Sequence, residues 1–172
     1  MAQTVFGQTD ALALAVAAFL NATSAAGSFC TPLAAERRFA IVTDLAAIPG
    51  FDTPASVDVV PDIENTDRTG LTTWTSDYAV HFFIQQRTDG TDEEALCALL
   101  CQLRSQIIEA LKGQQFTLPN AVHPVTLGGL VMMHTKSADR RTGNLPGLYD
   151  LSRLLQAHVF ESDTIVIFKA AV

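Results

Sequence analysis

The chain has 172 residues, of which 48% are hydrophobic and 17% charged, with a formal net charge of −7. That length suits one domain, spanning 1–172, able to bury about two thirds of its surface. The acidic balance argues against a surface that grips nucleic acid or anionic lipid throughout.

Ala11–Leu20 reads A-L-A-L-A-V-A-A-F-L. No Lys or Arg precedes it and Asp10 stands at its start, so it lacks the basic region of a signal peptide, and it is too short to span a bilayer. It predicts a helix over about 9–23, capped by Thr9 or Asp10, with Val16, Phe19 and Leu20 facing inward. Asn21-Ala22-Thr23 matches the glycosylation triplet, a match common by chance, and nothing else indicates secretion. The small polar run Thr23–Gly27 reads as a linker. Arg38–Leu45 alternates, with Phe39, Ile41, Thr43 and Leu45 on one side, and predicts a strand. Ile48-Pro49-Gly50 and Thr53-Pro54 are turn signals. Val57–Val60 predicts a short strand, and Pro61 then demands an edge position or a bend. Asp62–Arg68 continues as an extended arm. Thr69–Trp74 reads as a hairpin tip returning into the next strand at Tyr78, so that two long strands make an antiparallel ribbon.

The most strongly patterned stretch runs from Asp77 to Gly113. Tyr78, Val80, Phe82 and Ile84 alternate with Ala79, His81, Phe83 and Gln85, a period of two rich in aromatic and β-branched residues. Asp89-Gly90 marks a turn. Thr91–Glu94 has capping-box spacing, and the carboxylates of Asp92, Glu93 and Glu94 suit the positive end of a helix dipole. Leu96, Leu99, Leu100, Leu103, Ile107, Ile108 and Leu111 then form one apolar stripe, and Gly113 is a natural stop. Beyond it, Val125–Thr135 holds Gly128-Gly129 and a strand from Leu130 to His134. The loop at 136–148 is polar, locally basic, and a candidate interface loop. Leu151, Leu154 and Leu155 predict a helical turn, and Val159–Phe168 a final strand. The sum is an α+β fold: a mostly antiparallel β-sheet with two main α-helices packed on it and long interface arms and loops. With helices on one face, the other face needs water, a loop or a neighbouring subunit, and Phe83 points into it.

Motifs for catalysis and nucleotide binding (G-x-S-x-G, GxGxxG, the P-loop) are missing from the sequence. His81, His123, His134 and His158 lie in separate segments without ligand spacing, which favours structural roles. Cys30, Cys97 and Cys101 cannot all pair internally. They read as small core or flank residues in a reducing compartment rather than as a zinc site. Helix capping accounts for Asp92, Glu93 and Glu94. Trp74, an aromatic at a hairpin tip, is a candidate partner contact. The reading is a non-enzyme with no catalytic residue, no cofactor and no metal.

One resemblance brings these pieces together. V-D-V-V-P-D-I-E, then Arg68, then D-Y-A-V-H-F-F-I-Q-Q-R-T-D-G-T-D-E-E-A-L-C-A-L-L-C-Q-L-R-S-Q-I-I-E-A-L resembles the middle of phage tail terminator and related neck proteins. L-Y-D-L-S-R-L-L-Q-A-H-V-F-E-S-D-T-I-V-I is similar to their closing segment, with Tyr149, Asp150, Leu154, Phe160 and Ser162 in matching places. The resemblance covers roughly residues 36 to 170. It leaves out the alanine-rich start and the 136–148 loop. It implies a homo-hexameric ring on the last ring of tail-tube protein that stops tube growth and meets the head–tail connector. Genomic DNA would pass through the lumen without specific binding, and no membrane is involved. The place implied is the virion tail or neck, with assembly in the host cytoplasm. Arg68, Trp74, Arg140, Arg141 and Tyr149 are the candidate subunit or partner contacts. Another neck, head-completion, tube or baseplate adaptor is the alternative. A small α+β enzyme or ligand-binding domain is the reading from a different class.

Overall fold

The computed structural model describes residues 7–40, 43–68, 74–88, 90, 93–119, 123–133 and 151–170. Along the chain come α1 (Gln8–Ala25), β1 (Leu33–Arg37), a 3₁₀ turn (Leu45–Ala47), β2 (Ala55–Arg68) and β3 (Trp74–Arg87). Then follow α2 (Glu93–Leu111), β4 (Gln115–Phe116), β5 (Val125–Met133), α3 (Leu151–Ala157) and β6 (Val159–Ala170). The strands form a single sheet in the order β1-β2-β3-β6-β5-β4. β1 runs parallel to β2, and the other four pairings are antiparallel. This is the predicted α+β class, with α3 as a third helix where the sequence suggests only a helical turn.

Alternation along β3 sorts the two faces. Tyr78, Val80, Phe82 and Ile84 are buried in the main core with Val57 and Val59 of β2 and Phe160, Val166 and Phe168 of β6. Residues opposite one another in a ladder share a face. The register Val57↔Ile84, Val59↔Phe82, Val80↔Val166 and Tyr78↔Phe168 therefore puts all these side chains on the same side. Leu12, Val16 and Leu20 of α1, Leu100, Leu103, Ile107 and Leu111 of α2, and Leu154 of α3 join the same cluster. All three helices thus cover one face. Phe19 packs edge-on against Phe116, with ring centroids 5.9 Å apart.

Three local readings change. Thr9 and Asp10 do not cap α1. The helix starts earlier, after Gly7, without a side-chain cap, and both residues lie buried within its first turn. Asp10 is occupied by Arg37 of β1, whose Nη1 lies 2.9 Å from Oδ1. The strand expected at Arg38–Leu45 is also displaced: β1 lies just before it, at Leu33–Arg37. Of that run, Ile41 and Val42 lie outside the described residues, and the described apolar members Phe39 and Leu45 do not face the core. Phe39 is 60% exposed and lies against the Arg37 guanidinium, and Leu45 is exposed as well. The Asp44 carboxylate accepts the Ala46 N–H and turns the chain into the 3₁₀ segment instead. Trp74, expected at a hairpin tip, is the first residue of β3. Of the expected capping box, Thr91 and Asp92 lie outside the described residues.

The buried side of α2 is not purely apolar. Cys97 and Arg104 lie within the stripe, and Arg104 is 3% exposed. Its Nε donates to Thr164 Oγ1 at 2.7 Å, and among the described residues no carboxylate pairs with it. Burial pulls its pKa down.

At the other end of the sheet, β5 steps out of register with β6 between Leu127 and Val131. Gly128 sits in that step, where a Cβ would lie 3.0 Å from the Ile167 carbonyl oxygen. Backbone cannot yield as a flexible side chain can. Gly128→Ala is expected to lower stability by about 1–3 kcal/mol, seen as a lower urea midpoint with an unchanged slope. An unaltered midpoint would mean that the two strands can part at no cost.

Candidate functional site

The face of the sheet away from the helices carries the polar residues of the central strands. Ladder register places Ser56, Gln85 and Glu161 in one row, Asp58, Phe83 and Asp163 in the next, and Val60, His81 and Ile165 in a third. Several of these are buried, including Asp58, Phe83, Gln85 and Glu161. Phe83, whose surroundings the sequence leaves open, is thus mostly withdrawn from water. The polar groups are tied together: Gln85 Nε2 donates to Glu161 Oε2 at 3.1 Å, and Arg38 Nε lies 3.0 Å from Asp58 Oδ1.

His81 is the focus of this face. It lies on β3, with β2 on one side and β6 on the other. Diagonal neighbours across a ladder are within reach of long side chains. His81 accordingly meets Asp163 through Nδ1 at 3.0 Å and Asp62 through Nε2 at 2.9 Å. Its ring stacks on Phe83, 5.5 Å between centroids and 4° from parallel. Both nitrogens can donate only when the ring is an imidazolium. Burial favours the neutral ring, but the hydrogen bonds and charges of Asp163 and Asp62 outweigh it, and the pKa rises above the ordinary 6.5. No ring nitrogen remains to activate a hydroxyl or thiol, so the arrangement ties strands together and holds a positive charge.

A second polar cluster lies where α2 and α3 meet. Glu93, Glu94, Cys97, Ala98, Cys101 and Leu154 line a cleft of about 490 Å³. Glu93 Oε1 takes the Thr88 hydroxyl at 3.0 Å and lies 2.7 Å from His158 Nδ1. His158, with φ 50, closes α3 in the left-handed conformation. Burial pushes the Cys97 thiol up to about 11 and raises the Cys101 and Cys30 thiols too. The three cysteines are therefore protonated thiols packed in or against the core and poor nucleophiles at neutral pH. Among the described residues no group of three or more His, Cys, Asp or Glu side chains could hold a metal ion.

Of the contacts named from sequence, Arg68 and Trp74 stand opposite each other in the β2–β3 ladder. Arg140, Arg141 and Tyr149 lie outside the described residues, as does the 136–148 loop. The His81 clamp escapes sequence reasoning because its carboxylates are 19 residues before it and 82 after it. The available signal was weaker: a histidine alternating onto a polar strand face. No protein-family model matches the chain, and no curated protein sequence matches it.

The clamp has a sign. Because the folded-state pKa of His81 lies above the unfolded value, its contribution to stability is complete below about pH 6.5 and is lost as pH rises through the folded pKa. A ring-proton NMR titration should place His81 above 6.5, and His81→Gln should flatten the fall of stability above that pH. A titration at or below 6.5 would show that the carboxylates do not hold the proton.

Proposed function

We propose that this chain is a structural virion protein: a subunit of a ring, most naturally of six copies, at the head-proximal end of a phage tail. There it ends tail-tube polymerisation and joins the tail to the head connector. The resemblance over residues 36 to 170 supports this reading, and one structural observation carries it. The β2–β3 ribbon outruns its own sheet. Each strand has 14 residues, about 45 Å at the usual rise. β1 accompanies β2 only from Ala55 to Val59, and β6 accompanies β3 only from Asp77 onward. From Glu64 to Arg68, opposite Trp74 to Tyr78, the ladder continues as little more than two strands.

A two-stranded ribbon by itself is marginal in water, and its open edges are ready to pair. The β1 edge of the sheet is treated differently. Asn21 of α1 donates to the Ala35 carbonyl and accepts its N–H, both at 2.8 Å, and Ser24 accepts the Leu33 N–H at 3.0 Å. The helix closes the β1 edge, while among the described residues no further strand pairs with the ribbon beyond the limits of β1 and β6. Such one-sided availability suits head-to-tail association between copies, which closes into a ring when the rotation allows. The 136–148 loop is the second proposed contact. The net charge of −7 would let DNA pass a lumen without phosphate-bound stalling.

Native mass spectrometry over a concentration series, with negative-stain images and added tail tubes, tests this. A six-fold ring with a central hole that caps one tube end is expected. A closed two-fold dimer that ignores tubes would sink the proposal, and binding to head connector alone would move the protein to another level of the neck. Arg140→Glu with Arg141→Glu should weaken assembly about tenfold, equivalent to 1.4 kcal/mol. Unchanged tail maturation would remove that loop from the interface.

A further inference from the structure

The base of the ribbon is a weak point in the ladder. Pro61 pairs with Val80 and Glu64 with Tyr78, so β2 spends three steps where β3 spends two. That is a bulge, and bulges interrupt ladder hydrogen bonds and bend the strand. β2 has also just lost its outer neighbour, since pairing with β1 ends at Val59. Side-chain ties therefore matter more here than elsewhere in the sheet. Asp62 stands inside the bulge, and the His81 Nε2–H donates to it.

An imidazolium serves both carboxylates, whereas a neutral imidazole can donate to only one. Burial decides which. The Asp163 side chain is 13% exposed and that of Asp62 35%. Stripping the more buried carboxylate of its partner costs more. The remaining proton stays on Nδ1, and Asp62 is left facing a bare lone pair.

We infer that Asp62, His81 and Asp163 form a proton-operated latch at the base of the ribbon. With the ring doubly protonated, the bulge is fastened to the central strand. When Nε2 loses its proton, Asp62 turns to water and the ribbon is free to swing about Pro61–Glu64. Among the described side chains, the other charged groups of this face are already engaged: Asp58 and Glu36 with Arg38, Glu161 with Gln85, and Asp77 with Lys169 at 3.7 Å. Phe83 covers one face of the ring. The raised pKa of His81 places the changeover on the alkaline side of an ordinary histidine. That the ribbon serves as an assembly arm rests on the function proposed above; the latch does not.

Amide hydrogen exchange of the whole chain, corrected for intrinsic rates and followed in steps from about pH 6 to about pH 9, tests the latch against the NMR titration of His81. Protection of the amides at 64–68 and 74–76 should fall about three- to tenfold across that titration, the net worth of one ordinary hydrogen bond. Protection along β6 from Ile165 to Phe168 should stay level. Asp62→Asn should abolish the step and keep the ribbon protected throughout, because an amide can accept from the charged ring and donate to the neutral one. Ribbon protection that is flat across the titration would overturn the latch, as would an undiminished step in Asp62→Asn. Native mass of the same samples separates this from assembly, so a chain that forms no ring can still show the latch, and a ring can form without it.

Discussion

Everything in this molecule leans on the alternation of side chains along β3. Because successive residues point to opposite faces, one strand supplies both the floor of the core and the polar face behind it. Tyr78, Val80, Phe82 and Ile84 receive three helices, while His81, Phe83 and Gln85 meet carboxylates and strand neighbours. A slip of one residue would exchange the two sets and bury the polar one under the helices. β2 and β6 flank β3 for most of its length, so its register fixes theirs, and through β6 it fixes β5 and β4.

The same strong pattern explains what could be read from the sequence. Where burial is one-sided and sustained, as along β3 and α2, the periodicity announces the element and its inward face. Where an apolar alternation has nothing to pack on, the signal misleads. Phe39 and Leu45 alternate like strand residues yet face water, while the short strand beside them, Leu33–Arg37, is rich in alanine and charge and gives little sign of itself. Its place in the sheet depends on contacts from elsewhere in the chain: the amide of Asn21, the hydroxyl of Ser24 and the Asp10–Arg37 ion pair. Propensity scales cannot see such partners. For the same reason Asp10 reads as a cap and turns out to be a buried counter-ion.

Sites built across strands are harder still. His81 and its two carboxylates come from three strands far apart in sequence, and only the ladder register brings them together. Arg104 was nearer to legible, since it falls on the apolar stripe between Leu100 and Ile107. A cation in that position announces a buried polar contact, here the hydroxyl of Thr164. The clamp and the ribbon are linked by place. The residue that binds His81 from β2 lies in the bulge just beyond the end of β1 pairing, so a local proton balance sits where the wider sheet begins to narrow to the two-stranded ribbon.

The position of β6 has a consequence for how the chain comes into being. β6 follows the five other described strands in chain order, yet it lies in the middle of the sheet, between β3 and β5. Among the described residues, β5 and β4 reach the rest of the sheet only through it. During synthesis, β1, β2 and β3 can assemble early and α1 can settle on them. The hairpin of β4 and β5, however, has no seat until residues 159–170 have left the ribosome. The core therefore closes late and by long-range pairing, which is slow. Until that moment the flank of β3 that β6 will occupy stands open, a vacant edge at the centre of the future sheet.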